Sequence, residues 1–222
     1  MKDILRRYGI STLGLIIVAL GVGVSIKSNL GIAPLSCIPT VLALKLTHIS
    51  IGTFTIVFNL LFVLLQFIIL GKQFKWERLL QIVPILAFGY LVDGAIWLFD
   101  ALEAPATNYL VRMLLCIAAI FLTAVGIGVE VIGQGWMLPA DATLGLLVKR
   151  TGSSFGTVKI IMDITLVAIT AVLSYVFFAN LSGNGATVVI REGTLLQAIL
   201  TGLCMKVTDP LLARLFLGRK KA

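Results

Sequence analysis

The sequence predicts an all-α, polytopic membrane protein with six long transmembrane helices and two short, re-entrant ones, arranged as two inverted repeats. Three observations predict it. Six long runs are almost wholly apolar, a pattern of glycines, prolines and polar residues recurs after about 105 residues, and two apolar segments are too short to cross a bilayer.

The composition identifies the solvent. The 222 residues are 59% hydrophobic and only 13% charged, with a mean hydropathy of +1.08, too few polar groups to coat a surface facing water. The long runs cover residues 10–24, 53–70, 79–99, 110–129, 160–178 and 195–216. Each is near or above the roughly 20 residues that a helix needs to cross about 30 Å of hydrocarbon. The first run has a basic start but no clear small-residue cleavage site, so it reads as an uncleaved span. The lipid bilayer is the partner this composition requires. A net charge of +8 would suit nucleic acid only if the basic residues formed a stripe, and here they sit in short loops and at both ends. Cys37, Cys116 and Cys204 lie apart in apolar segments and read as free thiols, without a disulfide framework. No cofactor motif or metal-ligand spacing is present, and Gly21-x-Gly23 and Gly126-x-Gly128 follow no strand, so they read as close helix packing rather than nucleotide binding.

The first repeat covers residues 9–100 and the second 107–217, together one membrane domain. Gly21-Val22-Gly23-Val24, then Pro34 and Leu42, is answered by Gly126-Ile127-Gly128-Val129, Pro139 and Leu147. Gly52-Thr53 answers to Gly156-Thr157, and Asn59 to Asp163; Leu79-Leu80-Gln81 and Asp93 answer to Leu195-Leu196-Gln197 and Asp209. After the first span of each half comes a break, Lys27-Ser28-Asn29-Leu30-Gly31-Ile32-Ala33 or Gly133-Gln134-Gly135, and then a short segment opened by Pro34 or Pro139. A helix of roughly 12 residues covers only about 18 Å, and proline fits its first turn. Each half therefore reads as span, broken turn with short helix, span, span. If the short helices re-enter, Lys2, Arg6, Arg7, Lys72, Lys75, Arg78, Lys149, Arg150, Arg214, Arg219, Lys220 and Lys221 fall on the cytoplasmic side with both termini. Only Lys27, Lys45, Arg112 and Arg191 then fall outside. Three crossings per half invert the second copy. If the short helices cross instead, there are eight spans and parallel repeats; charge barely separates the two, and segment length favours re-entry. Trp76, Trp97 and Trp136 read as interface anchors, His48 as a loop residue, and residues 180–185 as an insertion in the second half.

The block Asn29-Leu30-Gly31-Ile32-Ala33-Pro34, with Ser50-Ile51-Gly52-Thr53 and Asn59, resembles the bacterial YczE and YitT-like membrane proteins over nearly the whole chain. In the second half Trp136-Met137-Leu138-Pro139 departs from the Gly-containing turn. The resemblance implies a multi-pass protein of the bacterial inner membrane and implies no substrate.

Polar groups inside the membrane carry the functional expectation, because a charge there costs at least about 2.5 kcal/mol near the centre. Asp93 and Asp209, Asn59 and Asp163, and Ser36 and Asp141 form three paired positions, and charge concentrates in the second copy. Lys159 precedes Asp163 by four residues and Lys206 precedes Asp209 by three, while Glu130 lacks a local partner. With Asn29 and Gln134 at the broken turns, these residues are the candidates for binding a small polar or charged solute or a coupling ion. The expected function is a small-solute transporter or permease with its site at the repeat interface. The same residues also fit a structural role, with Ser36 and Asp141 as helix caps and the others as interhelical glue. The competing function is a non-transporting scaffold that binds a partner protein or a second copy of itself. An enzyme is not expected, since no nucleophile–base pair or paired catalytic carboxylates stand at useful spacing.

Overall fold

In hydrocarbon only a helix satisfies its own backbone along its length, and the apolar runs accordingly fold as helices. The computed structural model describes residues 2–101, 108–180 and 187–217. Its helices are α1 (Lys2–Ser28), α2 (Pro34–Lys45), α3 (Ile51–Leu70), α4 (Ile82–Ala101), α5 (Tyr109–Gly133), α6 (Pro139–Thr151), α7 (Phe155–Phe178) and α8 (Glu192–Leu217). Two 3-10 turns, Gly71–Gln73 and Trp76–Gln81, join α3 to α4. Among the described residues six helices are long and apolar enough to span a membrane, as the sequence predicts, and α2 and α6 are the short ones. Most of residues 180–185 and Arg219, Lys220 and Lys221 lie outside the described residues.

The long helices form a ring. α1 packs on α4 and α5, α5 on α8, α8 on α7, and α4 on α3. The short helices close the ring between α3 and α7, where α2 touches both and α6 touches both. Small residues permit the close approaches. A Cβ on Gly126 would stand 2.8 Å from Val18 N, and one on Gly21 2.7 Å from Thr123 Oγ1, so α1 and α5 meet backbone to backbone. Gly23 faces Ala95 of α4, and Gly128 faces Leu212 of α8. The repeated glycine pair thus serves both neighbours of each central helix. Leu15, Val18 and Val22 of α1 pack with Phe88, Val92, Ala124, Ile127 and Met205 to form the principal apolar core.

Each short helix begins in the middle of the bundle and returns to the end from which the chain entered. Ala33, Pro34 and Ser36 lie beside Val18, Phe88 and Ile127, deep in the ring, while Lys45 Nζ stands over the Phe177 ring in the last turn of α7. The chain just after α1 is bonded to residues 189–193, between α7 and α8, at that same end. Correspondingly, α6 starts beside the same core, and its Lys149 shares a cavity with Gln134, at the close of α5. α2 and α6 therefore run toward opposite ends. Neither crosses.

Two matched starts anchor the third helix of each half. Ser50 Oγ accepts from Thr53 N at 3.0 Å, and Ser154 Oγ from Thr157 N at 3.3 Å. Ser50 also donates to Asp93 Oδ2 at 2.7 Å, a contact Ser154 lacks among the described bonds. Ser50→Ala is therefore expected to lower stability by about 2 kcal/mol and Ser154→Ala by about 1 kcal/mol, read from thermal unfolding midpoints in detergent. Equal losses would show that the Asp93 bond contributes nothing.

Trp136 departs from its expected place as an interface anchor. Its ring stands 4.6 Å from that of Tyr8, and it packs against the apolar core. Trp76 and Trp97 are exposed, and exposed tryptophan suits the membrane interface. Cys37 and Cys116 are buried free thiols and Cys204 is half-buried and free.

Candidate functional site

The two breaks that follow α1 and α5 are built alike. Asn29 and Gln134 both take a left-handed conformation, φ 52°, and so end their helices abruptly. The chain then turns inward, and a side chain from the preceding long helix catches it. Ser25 Oγ accepts from Ala33 N at 3.0 Å, and Glu130 Oε1 accepts from Leu138 N in a short hydrogen bond. These are the backbone donors that a side chain in the first turn of the short helix would otherwise cap. Ser36 and Asp141 are left free of that task, contrary to a simple capping role. Asp141 Oδ1 has no hydrogen-bond partner although the residue is 1% exposed.

Ser36 and Asp141 reach the same point from opposite directions. They line a void of about 20 Å³ together with Thr123, Lys159, Asp163 and Thr201. Its apolar wall comes from Val18, Ile127 and Phe88 among others. That volume accommodates one water molecule. Lys159 Nζ bonds to both carboxylate oxygens of Asp163, and the two side chains are 4% and 0% exposed. Glu130 is fully buried, interacts electrostatically with Asp141, and has an unpartnered Oε2. Three buried carboxyl groups thus face one ammonium.

Four of the sequence candidates line this void, Ser36, Asp141, Lys159 and Asp163, and Glu130 acts on it through Asp141. Asn59 is buried on α3 outside the wall of the void, donates to Thr55 O at 3.0 Å, and leaves Oδ1 unpartnered. Asp93 serves α3 as a remote cap, accepting from Gly52 N at 2.8 Å as well as from Ser50. Asn29 stays at its turn, and Gln134 accepts from Arg7 at 2.8 Å. Lys206 is exposed and makes no ion pair with Asp209 among the described residues. Asp209 is half-buried near Gly128, with Oδ1 unpartnered.

The pairing of Asp93 with Asp209 needs correction. Gly52 meets Gly89 where α3 crosses α4, and Gly156 meets Gly202 where α7 crosses α8. Ile56 covers the first contact and Ile160 the second. In that register Lys206, four residues after Gly202, takes the place of Asp93, four residues after Gly89. The repeated Leu-Leu-Gln triplet misaligns the last helices by three residues.

Hydrogen bonds tie the first turn of α6 to one end of the bundle. A cavity of about 690 Å³ opens there, lined by Lys75, Arg78, Gln81, Gln134, Trp136 and Lys149 among others. Arg78 Nη1 donates to Gln66 Oε1 at 2.7 Å, and Gln66 Nε2 donates to Gln81 Oε1 and to Pro139 O, both at 3.1 Å. Gln66 is fully buried and joins the vestibule to the first turn of α6. It was legible as a lone amide in an apolar span, a signal that motif pairing between the halves passes over.

The other end is shut by a latch. Ile32 N donates to Val189 O at 3.0 Å and to Thr194 Oγ1 at 3.1 Å, and Gly193 N donates to Leu30 O at 2.8 Å. Ile32, Cys37, Val41 and Val189 pack beneath it as a buried apolar plug. Gly31, at φ +110°, passes so close that a Cβ would strike Thr194 Oγ1.

Six candidate spans around a buried charged centre define a multi-pass membrane protein. The chain belongs to DUF6198, described as a family of unknown function, whose pattern matches residues 5–210. It is similar to two proteins of Bacillus subtilis (strain 168). One, "Uncharacterized protein YyaS", is 27% identical over 224 residues, covering 96% of each chain. The other, "Uncharacterized membrane protein YczE", is 26% identical over 213 residues, covering 94% of this chain and 88% of the relative. The YczE-like resemblance of the Asn29–Pro34 block is thereby borne out. No solved structure matches.

Proposed function

We propose that this protein is a small-solute transporter of the bacterial inner membrane, with both termini cytoplasmic and two inverted repeats that rock about the buried centre. The observation that carries this reading is the inequality of the two ends. Hydrogen bonds from Arg78 to Gln66 and from Gln66 to Pro139 tie the first turn of α6 to a vestibule at one end, while the latch between residues 30–32 and 189–194 closes the other. Alternating access requires such a pair of unequal ends around a fixed site. Charged groups held inside a membrane suit binding or coupling rather than packing alone. The cycle needs no chemical step. Opening the far end breaks the latch, and closing the vestibule brings α6 against the Lys75–Arg78 turn. The matched helix contacts, α1 with α4 as α5 with α8 and α3 with α4 as α7 with α8, support two equivalent half-units for that motion.

Cross-linking tests the cycle. Cys37 Sγ lies 4.0 Å from Val189 O, so Val189→Cys, with Cys116 and Cys204 replaced by Ala, places two thiols across the latch. With Ser36→Cys added, labelling by a membrane-impermeant maleimide from the latch side is expected in the reduced protein and lost on oxidation. Labelling from the vestibule side should persist in both. Labelling from neither side would favour a scaffold, whose interior stays dry.

A further inference from the structure

We propose that Glu130, bonded to Leu138 N at the start of α6, and Asp141, in the first turn of that helix, share a proton beside the single-water void that Asp141 lines, so that the ion coupled to transport is H⁺ rather than a metal cation. The coupling clause rests on the transporter reading; the proton site does not.

Charge balance comes first. Lys159 bonds both oxygens of Asp163 and also acts on Asp141, so a single ammonium serves three buried carboxyl groups. Glu130 and Asp141 then remain as two fully buried carboxyl groups that feel each other, each with one unpartnered oxygen. Two uncompensated carboxylates cannot remain side by side out of water, since each ion carries a desolvation cost of several kcal/mol. A proton held between them or a bound cation must relieve the excess.

The surroundings choose between these. The wall of the void supplies an unpartnered hydroxyl from Thr123 and the unpartnered Asp141 Oδ1, two oxygens that would hold one bridging water. Lys159 stands on the same wall and repels a metal ion. A hard cation such as Ca²⁺ takes about six to eight oxygens, and no metal-ligating cluster exists among the described residues. The other elements add no charge that would replace the proton. α2 presents Ser36 and the Cys37 thiol, which feels Asp163; α3 presents Asn59 and Gln66; α1, α4 and α8 present Val18, Phe88 and Thr201. Asp209 and Lys206 of α8 lie against Gly128 and Gly156, off the wall. A shared proton is the ordinary solution for two acids forced together.

The test is infrared spectroscopy of the purified full chain in lipid nanodiscs, titrated in NaCl and again in choline chloride of equal ionic strength. A carbonyl stretch of protonated carboxyl, shifted by D₂O, is expected in the wild type near neutral pH. It should be lost in the Glu130→Gln/Asp141→Asn double variant, unchanged in Asp100→Asn, and equal in the two salts. Each single variant should move its frequency, which decides the matter even if the double variant does not fold. A band retained in full by the double variant, unmoved by either single one, or abolished by sodium would overturn the proposal. Because the band is read on the resting protein, failure of the maleimide test with the band present removes the transporter and leaves the proton site.

Discussion

Lys159→Met is expected to destabilise the protein by about 3–5 kcal/mol, because it strands Asp163 as an unpaired charge in a site with no exposure. The loss should appear as a large fall in the thermal midpoint of the detergent-solubilised protein, or as failure to accumulate in the membrane. The double variant Lys159→Met/Asp163→Leu is expected to recover most of it, since replacing both buried partners by apolar groups of similar size is close to neutral. That contrast separates the pair's effect on stability from its role at the centre: the double variant should fold and lose function. Equal destabilisation in single and double variants would mean that the two side chains do not act as an ion pair.

Gly126→Leu carries the second large effect. Its Cβ would enter the α1–α5 seam 2.8 Å from Val18 N and 3.1 Å from Gly14 O, both backbone atoms that cannot step aside. Overpacking of this kind costs about 1–3 kcal/mol where neighbours can adjust, and here at least the upper figure is expected. Gly94→Leu is the control, since nothing lies within 4 Å of a Cβ there, and its stability should change by less than about 0.5 kcal/mol. Similar behaviour of the two variants, by unfolding midpoint or membrane yield, would show that the seam is not a close contact.

The helices and their number were readable from the sequence because apolar length is a direct measure of what a bilayer can hold. The glycine pairs at 21 and 126 were readable for a related reason: missing side chains mark close approach. Depth was harder to read. Hydropathy says that residues 34–46 are short, but only the void shared by Ala33, Pro34 and Ser36 with Val18, Phe88 and Ile127 places the start of α2 in mid-bundle, and Lys45 over Phe177 returns its end. Among the polar residues, the chemistry of Asp163 with Lys159 was visible as a four-residue spacing. The demotion of Asp93 was not, because its partners Ser50 and Gly52 lie more than forty residues away in sequence. The Leu-Leu-Gln triplet misled the register of the last helices, since leucine is common enough in spans to repeat by chance while a glycine crossing is tied to a contact. Glu130 looked unpartnered because its partner is a backbone N–H exposed only when the chain breaks at Gln134.

Under the transporter proposal, the latch also gives the cycle a preferred starting point. Its two backbone hydrogen bonds between residues 30–32 and 189–193, at about 1 kcal/mol each, weight the vestibule-open state by about 2 kcal/mol, on the order of thirtyfold in population. A ligand that carries the protein through its cycle must therefore bind the opposite state more tightly by a comparable margin, or it will occupy the centre without being released on the far side. Tight binding and productive transport then become separate properties. A solute can excel at the first, fail at the second, and act as an inhibitor.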